Sequence, residues 1–285
     1  MPIDYDKLKS WPFGVVEQTF TEKDTILYAL GLGLGADPLN LGDLRYTFEE
    51  ADGFATFPTM PVVLGTPGFW ARNPDSGLDW KKILHGEQGL EIHGPIPTNA
   101  TIEARNRIVE IIDKGADKGA LIYLEREITD KATGAKIATT TSTTFARGDG
   151  GFGGPTGPVK EVHAIPDRSP DATVNIPAVP QAALIYRLSG DPNPLHASPD
   201  VAKAAGFKAP ILHGLCSFGI AGWAVLKTYA DMDPTRLKRF GLRFSSPVYP
   251  GETITTHMWK DGSTISFKAT IGDRTVLNNG YAEVS

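Results

Sequence analysis

Short stretches in which apolar and polar residues alternate recur in two separate parts of the chain. Residues 101–108, 121–128 and 137–145 are rich in Thr, Ile and Val, and their two-residue period is that of a strand with one face buried. Asp113-Lys-Gly-Ala-Asp-Lys-Gly119 and Asp130-Lys-Ala-Thr-Gly134 separate them as turns. The pattern returns over residues 252–260, 264–271 and 274–284, split by Asp261-Gly262 and Gly272-Asp273. Ahead of this second set, residues 212–229 carry Leu215, Phe218, Trp223, Val225, Leu226 and Tyr229 nearly all round a helix, as a buried helix requires. A buried helix followed by an antiparallel sheet predicts an α+β architecture.

The two strand sets are related by a constant offset. Gly89-Leu90, Ile92, Pro95 and Thr101-Ile102 fall 152 positions before Gly241-Leu242, Phe244, Pro247 and Thr253-Ile254, and Pro58 falls on Pro210. So many matches without a gap indicate an internal duplication, and the two copies are expected to share one continuous sheet. Helical stretches around Tyr28 and Tyr186 align at an offset of 158, so the first copy has about six more loop residues. Gly/Pro-rich sequence predicts a linker over residues 149–172, with copies at 1–148 and 173–285. In the first copy the long helix would run through residues 61–69, where Gly65, Pro67 and Gly68 break it. The expectation is a degenerate first half with an apolar tunnel where its helix stood.

Composition narrows the function classes. With a net charge of −5, a pI near 5.7 and no basic run of the kind that neutralises phosphate backbones, no nucleic-acid partner is expected. Cys216 stands alone, so neither a disulfide within the chain nor a cysteine metal site is expected. No signal peptide, membrane span or Ser-Lys-Leu-type ending is present in the sequence, and a cytoplasmic location away from membranes is expected. The six histidines show no metal-ligand spacing, so no metal is expected. Gly31-Leu-Gly-Leu-Gly-Ala36 has dinucleotide-fingerprint spacing but follows a helix instead of a strand, so no cofactor is expected.

The chemistry concentrates in Tyr186-Arg-Leu-Ser-Gly-Asp-Pro-Asn-Pro-Leu-His196. Pro192 and Pro194 bar a helix around Asn193, and the loop presents Asp191, Asn193 and His196 within six residues. Activating a water and relaying its proton needs groups of this kind. A turn-capping aspartate beside an ordinary buried histidine is the structural alternative. The first copy favours the functional reading, because the 158 offset sets Asp191, Asn193 and His196 on Gly33, Gly35 and Pro38, none of which handles a proton. Downstream, Pro210-Ile-Leu-His-Gly214 opens the long helix. Free N–H groups at that helix start, with no Cβ at Gly214, suit an oxyanion formed as water adds to an activated alkene.

These two segments closely resemble the signature of the MaoC-like hydratase 2 family. The likeness extends to His85-Gly-Glu-Gln88, Asp113-Lys-Gly115, Gly151-Phe-Gly-Gly154 and Pro247-Val-Tyr-Pro-Gly251. The resemblance implies a double hot-dog fold, in which each half wraps an antiparallel sheet around a helix and the first half is degenerate. It implies reversible hydration of trans-2-enoyl-CoA to the (3R)-3-hydroxyacyl thioester, with Asp191 and His196 catalytic, Asn193 holding geometry and the Gly214 N–H serving the thioester oxygen. It implies further that His85, Gly86, Lys114 and Phe244, with Pro192, Pro194 and Leu195 of the catalytic loop, bind the acyl-CoA substrate. A homodimer is expected. A thioesterase on the same fold and a non-catalytic acyl-CoA binding protein are the competing readings.

Overall fold

The computed structural model describes residues 3–285. Ten strands form one sheet in the order β1-β3-β4-β5-β2-β7-β10-β9-β8-β6. The first five are β1 (Val15–Phe20), β2 (Ile83–Ile92), β3 (Ala100–Asp113), β4 (Ala120–Asp130) and β5 (Lys136–Ala146). The second five are β6 (Ala172–Pro177), β7 (Leu237–Phe244), β8 (Thr253–Asp261), β9 (Thr264–Ile271) and β10 (Arg274–Val284). Each half repeats one order outward from the middle, and β2 and β7 join the halves antiparallel.

The register of that junction locates the symmetry of the duplication. Gly89 pairs with Gly241, flanked by Gln88 with Leu242 and Leu90 with Phe240. Gly89 and Gly241 are also equivalent residues at the 152 offset, so the pseudo-twofold axis passes through this pair. A Cβ on Gly89 would lie 2.4 Å from the Thr141 hydroxyl, and one on Gly241 would lie 2.6 Å from the Tyr281 ring. The outer face has no room there for any larger residue.

Helices α1 (Tyr5–Lys9), α2 (Glu22–Leu32), α3 (Leu41–Thr47), α4 (Ala182–Tyr186), α5 (Pro199–Ala204) and α6 (Gly214–Tyr229) complete the regular structure. The α6 helix is buried along most of its length and packs on β6, β7, β8 and β10, as its all-round apolarity predicts. The α2 and α4 helices meet at the axis, where the Tyr28 and Tyr186 rings lie 5.7 Å apart. Gly33 ends α2 in the left-handed conformation at φ 101°, so the glycine run is a helix stop. This is the expected double hot-dog.

The first half differs where its helix should be. Only a short 3₁₀ turn, Met60–Val63, stands there. Phe57, Met60, Val62, Val63 and Leu64 of this segment are buried, so part of the space expected for a tunnel holds side chains. An open apolar void would forgo their dispersion contacts. Beneath this segment the sheet has changed character. In the second half Met258, Phe267 and Gly280 are cross-strand neighbours under α6, while the equivalent row of the first half is Asn106, Arg126 and Thr140. Arg126 donates to the Val62 and Leu64 carbonyls at 3.3 and 2.6 Å and to Asn106 Oδ1 at 3.1 Å. Asn106 Nδ2 donates to the Gly65 carbonyl at 3.2 Å, and the Gly65 N–H donates to Gln18 Oε1 at 2.7 Å. Polar side chains thus bond the backbone groups that a regular helix would have satisfied internally.

Residues 147–171 carry no helix or strand but are tied down. His163 meets Ser266 Oγ at 2.8 Å, and the Trp259 indole donates to the Arg168 carbonyl at 2.7 Å. No helix among the described residues is long and apolar enough to cross a membrane.

Candidate active site

Gly190 ends the helical stretch around Tyr186, and the chain then runs through Asp191-Pro-Asn-Pro before the short turn Pro194–His196. Two side chains knit this loop. Asp191 Oδ1 accepts the Asn193 N–H and Asn193 Oδ1 accepts the Leu195 N–H, each at 3.1 Å. Asn193 is therefore a cap that shapes the loop. Pro192, Asn193 and Pro194 are exposed and Leu195 is half-buried.

His196 is buried, and its Nδ1–H donates to the Ile211 carbonyl at 2.8 Å. A carbonyl only accepts, so the proton sits on Nδ1 and Nε2 keeps its lone pair. Nε2 lies 4.0 Å from Asp191 Oδ2, too far for a direct hydrogen bond and close enough for one oxygen to contact both. Burial pushes the His196 pKa below the ordinary imidazole value, against the Ile211 carbonyl and the Asp191 charge. The free nitrogen is accordingly neutral at physiological pH.

His213 is a member of this site that the sequence reading left without a role. Its ring stacks on His196 at 3.7 Å and 26°, and its Nε2–H donates to the Asp191 backbone carbonyl at 3.1 Å. Its Nδ1 is buried without a partner. Burial and then the neighbouring His196 charge push its pKa down to about 4, so the stacked pair stays neutral together. Ligand atoms of Asp191, His196 and His213 lie within 4.8 Å of one another, a grouping that spacing along the chain does not disclose. Lone pairs lie in the ring plane, so stacked imidazoles direct theirs side by side, whereas a tetrahedral centre needs them to converge. The geometry suits proton transfer.

His213 is also the N-cap of α6. Cys216 and Ser217 donate back to its carbonyl at 3.1 and 3.2 Å. The Gly214 and Leu215 N–H groups precede the first of these helical bonds and are unpaired by helix geometry. A Cβ on Gly214 would stand 3.2 Å from the Phe244 ring, which also faces His85 at 4.8 Å. The fold thus brings together Asp191, Asn193, His196 and Gly214 from one copy with His85 and Gly86 from the other. Lys114 is not beside them. It is exposed on the turn after β3, and the register row Asp113, Ala120, Ala146, Ile83 sets it three strands from β2. That is about 14 Å along the same sheet end. Asp113 fixes the turn by accepting the Gly115, Gly151 and Gly153 N–H groups at 2.8, 2.7 and 2.8 Å. Burial alone would raise its pKa, but these donors outweigh it and hold the carboxyl below its usual value. A separate cleft of about 580 Å³ opens on the outer face beneath Pro158 to His163, and Asp191, His196 and Gly214 do not border it.

A double hot-dog that sets a carboxylate and two neutral imidazoles beside a helix N-terminus has the arrangement that hydration or dehydration of an acyl thioester requires. Two family models match in tandem, the MFE-2 hydratase 2 N-terminal domain over residues 18–148 and the MaoC like domain over residues 161–280. The chain belongs to this MaoC-like hydratase 2 family, whose members include enoyl-CoA hydratases. An enoyl-CoA hydratase of Mycobacterium tuberculosis is 39% identical over 285 residues, covering 98% of both chains. The peroxisomal multifunctional enzyme type 2 of Drosophila melanogaster is 38% identical over 293 residues, covering 98% of this chain and 48% of that enzyme. The chain therefore spans about half the length of that relative. The crystal structure of a MaoC-like dehydratase from Phytophthora capsici superposes with a TM-score of 0.89 at 33% identity, covering 99% of this chain and 98% of that one.

Proposed function

We propose that this chain reversibly adds water to trans-2-enoyl-CoA to give (3R)-3-hydroxyacyl-CoA, with Asp191 and His196 as the proton-handling pair. The observation that carries the reading is the open Nε2 of His196, 4.0 Å from Asp191 Oδ2. A water held between them donates one hydrogen bond to Asp191 Oδ2 and loses its other proton to Nε2 as its oxygen bonds to C3. The π electrons move into the thioester, and the Gly214 N–H stabilises the enolate oxygen. The proton then passes from Nε2 to C2, closing the balance with the hydrogen and the hydroxyl of water added from one face. His85, Gly86 and Phe244 hold the coenzyme A arm near the thioester, Pro192, Pro194 and Leu195 line its approach, and Lys114 meets a phosphate. The first copy serves binding and the second chemistry. A cytoplasmic homodimer is part of the same proposal, and a monomer mass by light scattering would count against it.

Asp191→Asn and His196→Ala are expected to lower hydration at least a hundredfold with unchanged circular dichroism, followed by loss of enoyl-thioester absorbance and chiral analysis of the product. An S product, or wild-type activity in either variant, would sink the proposal. Release of free thiol by the wild type would select the thioesterase reading.

A further inference from the structure

Arg126 is a cation without a carboxylate. Three of its hydrogen bonds go to neutral acceptors, the Asn106 amide oxygen and the Val62 and Leu64 carbonyls, and no ion pair forms within 4.0 Å among the described residues. Burial pushes its pKa down to about 10, which still leaves it charged at neutral pH. Its Nη2 makes no hydrogen bond and is not among the enclosed unpartnered atoms, so it opens onto accessible space. Arg126 lies on β4, two strands from β2, which carries His85 and Gly86, and its side chain reaches the inner face beneath the Met60–Val63 turn. Along the strands it lies deeper than His85. His85 pairs with Thr144 and Arg126 with Thr140, a separation of about 13 Å along the strands and of two strand spacings, about 10 Å, across them. Its equivalent in the second half is Phe267, wholly buried under α6.

A lone brace for the Val62 and Leu64 carbonyls needs donors, not a permanent charge, and desolvating an unpaired cation is costly. We propose that Arg126 is a specificity-determining residue whose Nη2 binds an oxygen acceptor, foremost a carboxylate, carried by the acyl chain beyond the reacting double bond. This rests on the hydration reading above, because the coenzyme A arm at His85 directs the acyl chain inward. A charge-assisted hydrogen bond of this kind corresponds to about tenfold to a hundredfold in specificity.

The test uses pairs of trans-2-enoyl-CoA thioesters of matched length, one ending in a methyl group and one in a carboxylate. The intact chain is expected to hydrate the carboxylate member at least as efficiently as its partner. Arg126→Met is expected to lower the carboxylate-to-methyl ratio of kcat/KM tenfold or more, chiefly through KM. Each ratio is measured within one preparation, so loss of folded protein cancels. If that variant does not fold, Arg126→Gln keeps a donor for the Leu64 carbonyl and removes the charge, and the same ratio decides. An unchanged ratio overturns the proposal and leaves Arg126 as a brace. An equal rise in KM for both substrates, with weaker inhibition by free coenzyme A, also overturns it and moves the contact to the pantetheine arm. Calorimetric binding of the matching saturated thioesters gives the ratio without turnover, so failure of the hydratase reading is told apart from failure of this one.

Discussion

His213 touches Asp191 through its backbone and His196 through its ring, so it positions both members of the proposed pair. It was within reach of sequence reasoning. The two halves, which set Asp191 on Gly33 at the 158 offset, set His213 on Pro61 at the 152 offset that holds further along the chain, the same loss of a titratable side chain in the first copy. What the sequence could not show was the stacking, which depends on a loop and a helix start folding onto each other. The two buried imidazoles have a consequence for stability. Both folded pKa values lie below the unfolded value of about 6.5, so the unfolded chain binds more protons and stability is lost as pH falls from about 6.5 towards about 4. His213 alone contributes on the order of 2 kcal/mol to that loss. Urea denaturation at pH 7 and pH 4.5 checks it, and His213→Gln is expected to flatten the difference.

Strands β9 and β10 coincide with the segments predicted from alternation, and β3, β4, β5 and β8 extend or shift theirs by a few residues. These strands lie with one face on the core, so period two is written into them. The α6 helix starts two residues later than expected because Leu212 is held extended by its N–H bond to the Val248 carbonyl at 2.7 Å. Strands β2 and β7 were not legible as strands. They cross the middle of the sheet, where both neighbours supply pairing and Gly86, Gly89 and Gly241 read as turn residues. The break in the first-copy helix was legible from Gly65, but its polar support was not, since Gln18, Asn106 and Arg126 are far apart in the chain. Gly65 has φ 63°, and a Cβ there would stand 2.2 Å from Ala104 Cβ. Gly65→Ala is therefore expected to destabilise the fold by about 2 kcal/mol or more, and a midpoint within error of wild type in urea would contradict this.

The halves share backbone pairs through β2 and β7 and a helix contact at α2 and α4, so neither has a finished edge without the other. The whole chain is expected to unfold in one step. Trp70 and Trp80 report on the first half and Trp223 and Trp259 on the second. Single-tryptophan variants should give coincident transitions with far-ultraviolet dichroism, and a separated transition would show two independent units. The axis through Gly89 and Gly241 has one more consequence. Between two identical chains, every substitution is inherited by both sides of such an axis, and a subunit cannot gain a guanidinium without its mate gaining one too. Within a single polypeptide the mirrored positions are separate codons. Arg126 stands on one side of the axis and Phe267 at the equivalent place on the other, so recognition and reactivity can vary as independent traits.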